Sequence, residues 1–438
     1  AMFARTKILT ARCSSSFVSR LRSSFTVDTP PTEARNAPNA TREIPRVAVS
    51  QAPSNEKKGK PKDLHRTFYR SDMVTTPALP SERQTKPTGH LPFGKFYSDH
   101  MIDVDWNAER GWSKPKLHKL QSLQLHPGAK VLHYAIELFE GMKAYRGIDN
   151  KIRLFRPEAN MARMNSTAAR AALPTFDSAE LISMIADQIR LDVEWVPSSE
   201  TASLYIRPTL IGTDKTLGVG SSQDAKLYVI TCPVGAYFPS GFQPISLLAD
   251  PQYIRASLGG VGAFKMGCNY APTMLVAKTA AEKGCQQVLW LSGKDEELTE
   301  VGTMNIFVFW KNEVGELELA TPPLDHGLIL PGVTRDSLLC LAREWGEFKV
   351  SERTFTMDDV KRALKEERLL QMFGSGTASV VVPVGKIVYH NRKASRHEVW
   401  HIPTMESEQN LMQRMYDHIN DIQYGRIDRP EWTVDVPY

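Results

Sequence analysis

The chain has no run of about 18 apolar residues, so it predicts no membrane-spanning helix. Its densest apolar stretch, Ile306-Phe307-Val308-Phe309-Trp310, has the length of a buried strand. Cysteine is scarce. Cys13, Cys232, Cys268, Cys285 and Cys340 are odd in number and far apart, with no C-x-x-C pair. That argues against a zinc site or a disulfide framework and suits a reducing intracellular compartment. No internal repeat is visible, so a solenoid is not expected. A strong charge of one sign is also missing. The net charge of +5 arises in residues 1–60, which hold 11 basic and 4 acidic side chains, whereas the other 378 residues hold 43 and 45. A nucleic-acid role driven by bulk charge therefore has no support. What is present is an ordinary globular balance, 42% hydrophobic and 24% charged over 438 residues. This excludes wholesale disorder and predicts two or three domains at ~100–200 residues each.

Acidic residues are absent before Asp28, where Arg5, Lys7, Arg12, Arg20 and Arg22 lie among six serines between Ser14 and Ser24. Phe17, Leu21 and Phe25 recur every four residues and would line one helical face. A basic, Ser-rich, amphipathic start reads as a mitochondrial presequence, which implies the matrix. The alternative is a disordered basic tail on a cytoplasmic protein. Ala1 ahead of Met2 reads as an addition before a natural start. From Thr29 to about Lys62 the chain is rich in Pro, Asn, Ser and charge and reads as a linker.

Order is expected from Asp63. Val131–Tyr134 and Leu138–Phe139 suggest strand material, followed by a Gly-Met-Lys turn. Lys151–Phe155 alternates as a half-buried strand. Pro157 opens a helix over Glu158–Ala172, and Ala179–Val193 is a second, amphipathic one. Leu204–Ile211 and Leu227–Cys232 read as strands, and Pro233–Gly241 is punctuated like a domain boundary. Beyond it, Ile245–Ala249, Gln287–Leu291, Asn305–Trp310, Leu317–Ala320, Val380–Val382 and Ile387–Tyr389 read as strands. Pro272–Lys283, Thr334–Trp345 and Met357–Glu367 read as helices. Strands and helices mix without strict alternation, which predicts a two-domain α/β or α+β fold. The division is a leader and linker over 1–62, a small domain over 63–233, a connecting loop over 234–244 and a large domain over 245–438.

Four segments suggest chemistry. In Gly259-Gly260-Val261-Gly262-Ala263-Phe264-Lys265-Met266-Gly267 one lysine sits among glycines and apolar residues. Glycines let a ligand approach the backbone, and a lysine in apolar surroundings is suited to act as a nucleophile. The plain alternative is a surface lysine on a loop. It is no Walker loop, because Met266 stands where a hydroxyl is needed. In Leu298-Thr299-Glu300-Val301-Gly302-Thr303 a carboxylate precedes the apolar strand, as a surface charge or as partner to a buried cation. Gly332-Val333-Thr334-Arg335-Asp336 opens a helix, where free N–H groups suit a phosphate, although Thr334 also suits a simple N-cap. Phe373-Gly374-Ser375-Gly376-Thr377-Ala378 reads as a Gly-rich turn. A lysine, a carboxylate, a phosphate cradle and a second anion site together match what a pyridoxal phosphate transaminase requires.

Ordered strings carry the likeness further: Phe93-Gly94, Ser98-Asp99-His100-Met101, Leu138-Phe139-Glu140-Gly141-Met142-Lys143-Ala144, Arg153-Leu154-Phe155-Arg156-Pro157, Arg207-Pro208, Gly259 to Tyr270, Glu300 to Phe307, Leu330-Pro331-Gly332-Val333 and Gly374 to Ala378. Over about Phe93 to Tyr424 the chain resembles the branched-chain amino acid aminotransferases, fold-type IV pyridoxal phosphate enzymes. The resemblance implies a small α/β N-terminal domain, a larger pseudobarrel domain, an active site between them and a homodimer. It implies Lys265 as the Schiff-base lysine and proton shuttle, Glu300 as partner of the pyridine nitrogen and Tyr270 as donor to the phenolic oxygen. Arg163 would bind the phosphate with Val333, Thr334 and Thr377, and Arg255 would lie close by. Substrate would meet Phe93, Tyr134, Phe139, Tyr205, Arg207, Thr303 and Ala378, with Leu217 and Val219 reaching across from the partner subunit. Phe93, Phe139, Leu217 and Val219 are alternatively plain core, and Glu140 with Lys143 an exposed ion pair.

The implied reaction moves the amino group of leucine, isoleucine or valine to 2-oxoglutarate, with ping-pong kinetics. No metal, nucleic acid or membrane partner is implied. One departure matters: Ser379 and Val382 stand where some animal relatives carry a C-x-x-C pair, so no thiol switch is expected there. A D-amino acid aminotransferase, a 4-amino-4-deoxychorismate lyase and a catalytically silent binding protein are the competing readings.

Overall fold

The computed structural model describes residues 62–235 and 243–438. The leader and linker expected over 1–62, apart from Lys62, and most of the loop expected over 234–244 lie outside the described residues. Among the described residues no helix is long and apolar enough to cross a membrane, and no cluster of His, Cys, Asp and Glu is placed to hold a metal.

Among the described residues nineteen strands form two sheets. The first takes β1 (Val74–Thr76), β2 (His100–Asn107), β3 (Gly111–Trp112), β4 (Lys116–Lys119), β5 (Glu137–Phe139), β6 (Met142–Arg146), β7 (Ile152–Phe155), β8 (Ser203–Gly212) and β9 (Asp224–Val234). The second takes β10 (Ile245–Ala249), β11 (Gln287–Ser292), β12 (Glu297–Val301), β13 (Met304–Lys311), β14 (Leu317–Thr321), β15 (Lys349–Glu352), β16 (Leu369–Gly376), β17 (Val380–Asn391) and β18 (Arg396–His401). The last strand, β19 (Thr433–Val436), returns to pair with β7 at the edge of the first sheet. By pairing, these residues belong to the first sheet, which departs from a division at 245–438. In the second sheet β12, β11, β10, β17, β16 and β13 follow one another, and a β12–β13 pairing closes them into a six-stranded barrel. This is the mixed α/β architecture expected from the sequence.

Among the described residues seven α-helices occur: α1 (Lys130–Tyr134), α2 (Pro157–Arg170), α3 (Ser178–Leu191), α4 (Met274–Glu282), α5 (Val333–Trp345), α6 (Met357–Lys365) and α7 (Leu411–Gln423). Pro157 occupies the first turn of α2, where its missing N–H leaves no helical bond unmade. Met161, Met164 and Ala168 on α2 and Leu181, Ile185 and Ile189 on α3 pack in one core with the first sheet. The Asp177 side chain caps α3 by accepting from the Ala179 N–H at 2.8 Å. The unalternating apolar run of β13 is buried on both faces, as such runs require. Ile306, Val308 and Trp310 face the barrel interior, whereas Phe307 and Phe309 pack outside it with Leu338, Met415 and Ile419 of α5 and α7.

Four sequence expectations are corrected. Val131–Tyr134 lies in a one-turn helix, not a strand, ended by Ala135 in the left-handed region at φ 49°. A four-residue run, with Val131, Leu132 and Tyr134 around His133, cannot distinguish the two by period. Met142–Arg146, expected to begin in a turn, is strand β6. Glu300 does not precede the apolar strand but lies within β12, one arm of a hairpin turning at Gly302 (φ 57°). Gly374, Ser375 and Gly376 are not a turn but the end of β16. The sequence pattern does not announce β1 to β4, β15, β16, β18, β19 or α7.

Candidate active site

A cavity of about 250 Å3 opens between the two sheets. Phe93, Phe139, Arg163, Tyr205, Arg207, Lys265, Tyr270, Thr303, Val333, Thr334, Thr377 and Ala378 all line it. Two larger surface grooves, around Trp106 and around Leu370, hold none of the expected site residues.

Lys265 comes from the second half of the chain but is held by the first. Its N–H donates to the Thr167 hydroxyl on α2 at 3.2 Å, and its carbonyl accepts from the Phe139 N–H on β5 at 3.1 Å. Gly267, two residues on, passes so close to Glu137 that an added Cβ would overlap its carboxylate. The amide of Asn269 donates to the Val261 and Phe264 carbonyls, each at 2.8 Å, and pins the preceding glycine loop. The result is a fixed amine. Lys265 Nζ lies 3.3 Å from the Tyr270 hydroxyl and 4.9 Å from the centre of the Phe139 ring.

Arg163, in the second turn of α2, is fully committed at one edge. Its Nε and one terminal nitrogen donate to both oxygens of buried Glu140, at 2.7 and 2.8 Å. The other terminal nitrogen donates to the Pro331 carbonyl at 2.9 Å. Asn160 and the Gly141 N–H also donate to Glu140, at 2.8 and 3.1 Å. Burial opposes the Glu140 charge, but Arg163 outweighs it and holds the carboxyl below its usual range. Glu140 and Lys143 are therefore not an exposed ion pair. Both are buried, and they take different partners.

The N-terminus of α5 meets the cavity. Its N-cap is Gly332, not Thr334, and no side chain caps the first N–H groups. An added Cβ at Gly332 would overlap the Asn305 side-chain oxygen, so the close approach needs glycine. Across the cavity wall Ser375 Oγ is buried with no hydrogen-bond partner. The sequence pattern assigns no role in the site to Ser375, Asn305, Thr167 or Glu140. Only their position inside or beside the quoted strings could have drawn attention to them.

Glu300 and Arg255 lie behind the cavity wall. Glu300 Oε2 pairs with Arg255 Nε at 2.9 Å, and Oε1 accepts from the Leu330 N–H at 2.8 Å. Burial raises the Glu300 carboxyl despite Arg255 and the charges of Lys265 and Arg163 nearby. The partner-to-a-buried-cation reading thus describes its setting. Arg207 has its guanidinium 4.5 Å from the Phe139 ring and 5.2 Å from the Tyr205 ring. It donates to the Tyr205 hydroxyl at 3.1 Å, while its Nε has no partner. Phe93 meets Tyr205 edge-on at 4.8 Å. Tyr134, Leu217 and Val219 stand apart from this cavity. Leu217 is 63% and Val219 87% exposed, and the Tyr134 hydroxyl donates to the Leu217 carbonyl.

The profile of the amino-transferase class IV family matches residues 137–387. The chain is 64% identical over 376 residues to the cytosolic branched-chain-amino-acid aminotransferase of Caenorhabditis elegans, covering 85% of this chain and 91% of that one. It is 53% identical over 376 residues to the cytosolic enzyme of Mus musculus, covering 86% and 95%. To the mitochondrial enzyme of Rattus norvegicus it is 52% identical over 370 residues, covering 84% and 92%. Its fold is shared with the branched-chain amino acid aminotransferase of Escherichia coli, with TM-score 0.61, 23% identity and coverage of 77% and 100%. The branched-chain aminotransferase of Thermoproteus uzoniensis gives TM-score 0.60 at 20% identity, with coverage of 76% and 99%.

Proposed function

The chain belongs to the class IV aminotransferases, in their branched-chain-amino-acid group, and we propose that its cavity transfers the amino group of leucine, isoleucine or valine to 2-oxoglutarate. The observation that carries this reading is the fixed amine of Lys265 beside the Tyr270 hydroxyl, in a cavity with unused anion donors.

Pyridoxal phosphate is the cofactor of the family, and the donors present fit it. The uncapped start of α5, the partnerless Ser375 hydroxyl, Thr377 and the free N–H groups of Arg163 supply a phosphate cradle. Lys265 would hold the aldehyde carbon, Tyr270 the phenolic oxygen, and Glu300, backed by Arg255, the ring nitrogen. When bound, the cofactor supplies an electron-accepting ring. The remaining work belongs to the side chains. Lys265 Nζ would tether the cofactor as nucleophile and, once free, would take the substrate α-proton as base and give it back as acid. A second keto acid reverses the sequence, so ping-pong kinetics are expected. Phe93, Phe139 and Tyr205 favour an aliphatic side chain at ~0.8 kcal/mol per buried CH2. Arg207, with its unpartnered Nε, suits the γ-carboxylate of glutamate.

The exposed Leu217 and Val219 fit a homodimer in which this loop completes the partner's pocket. The basic N-terminal segment fits a mitochondrial address; relatives of both cytosolic and mitochondrial name are similar to this chain. The test is spectroscopic. The purified protein should show the absorbance band of a lysine-bound cofactor, and Lys265→Ala should keep its fold while losing both the band and leucine turnover. Near wild-type turnover in that variant would refute the assignment.

A further inference from the structure

We propose that Lys143 is a positioning residue for substrate recognition: acting through the Ala378 peptide, it shapes and charges the stretch of cavity wall that takes the substrate α-carboxylate. The inference rests on the aminotransferase reading and deepens it.

Lys143 sits in β6 directly opposite Tyr205 of β8. Paired residues of antiparallel strands share a face, and Tyr205 lines the cavity, so Lys143 lies on the side of the first sheet that faces the site. Its ammonium donates to the Ala378 carbonyl at 2.8 Å, spanning the two sheets. The side chain is buried, and no carboxylate among the described residues forms an ion pair with it. Burial pushes its amine down to about 8. A lone buried ammonium destabilises a fold, since its lost hydration has no counter-charge to offset it.

The acceptor is unusual as well. Ala378 lies in the three-residue loop that joins β16 to β17, where Gly376 pairs with Val380. Val380 has φ 61°, a left-handed conformation that a β-branched residue adopts only at a cost. Two destabilising features thus meet at one hairpin tip, and that tip lines the cavity. An anion bound there would balance the ammonium behind the Ala378 peptide. With the cofactor phosphate assigned to Ser375, Thr377 and the start of α5, a carboxylate common to every amino acid and 2-oxo acid substrate is the remaining anion for the Ala378 peptide, whereas the side-chain pocket around Arg207 of β8 lies on the wall made by the first sheet.

The test compares 4-methylvaleric acid with its neutral primary amide as inhibitors of the holoenzyme. In Lys143→Met, inhibition by the acid should weaken about tenfold or more while the amide changes less than about twofold. KM for leucine should rise more than kcat falls, and Lys143→Arg should recover most of the loss. Lys143→Gln, which keeps a donor for Ala378 but no charge, should show the same acid-selective weakening and decides the matter if the methionine variant does not fold. Acid inhibition unchanged in Lys143→Gln, or acid and amide weakened alike, overturns the proposal. If instead the wild-type protein lacks leucine turnover or the cofactor band, the aminotransferase reading itself has failed.

Discussion

Glu140 and Lys143 illustrate how little a spacing says without its backbone. Three residues apart, they would be neighbours on a helix. Lys143 lies in a strand, where i and i+3 point to opposite faces, and the two side chains diverge to Arg163 and to Ala378. Glu140→Ala leaves the Arg163 guanidinium buried without its counter-charge and should lower stability by about 3–5 kcal/mol in urea unfolding; a loss under about 1 kcal/mol would show that water already screens the pair. Lys143 gives a pH signature. Its amine titrates near 8 in the fold against an ordinary 10.5, so below 8 both folded and unfolded chains carry the proton and the burial penalty is complete. Between 8 and 10.5 the unfolded chain binds more protons, and stability contributed at this residue rises with pH. Lys143→Met should therefore be more stable than wild type at pH 7, with the gap closing toward pH 10.5. A gap that is constant across that range, measured by denaturant midpoint, would place the ammonium in water.

Elements are legible in the sequence where length and period agree. α2, α3 and β13 combine a clear apolar period or run with boundary residues such as Pro157 and Asp177. α1 is not legible because Val131, Leu132 and Tyr134 are too few to show a period, and the hairpin of β12 and β13 is hidden because Thr299 and Glu300 are polar yet buried. Glu300 faces inward only because Arg255 and the Leu330 N–H receive it. The start of α5 permits a separate prediction. Gly332→Ala keeps an acceptable backbone, at φ −72°, but sets a methyl against Asn305. It should lower cofactor affinity, read by titrating apoenzyme, far more than it lowers the melting temperature. Equal cofactor affinity would mean that the α5 N–H groups do not hold the phosphate.

Across the whole molecule the two halves are interlocked. The amine of Lys265 belongs to the second half, its backbone bonds to Thr167 and Phe139 of the first, and the final strand β19 returns to the first sheet. Trp432, just before it, stacks beneath Arg156 at 5.0 Å and receives its backbone bond at 2.7 Å. A chain ending at Pro430 should lose both the denaturant midpoint and cofactor retention, the latter followed by absorbance during dialysis. Retention of cofactor at full strength would mean that the C-terminal tie does not reach the site. In the same frame Leu217→Ser with Val219→Ser should weaken self-association in sedimentation velocity and raise KM for leucine; an unchanged sedimentation coefficient and KM would remove this loop from the subunit contact.

Taken alone, the residue order determined the secondary-structure elements with strong periods, the near-neutral folded part and the lysine, tyrosine, arginine and glycine strings that mark the chemistry. Those are local properties, set by spacing and side-chain type. Only the tertiary structure decided that Glu140 neutralises Arg163, that Ser375 is left without a partner and that Lys143 is buried behind Ala378. Charge pairing and burial depend on which distant strands close into a barrel and which side chains meet when water is expelled, and no local pattern specifies that encounter.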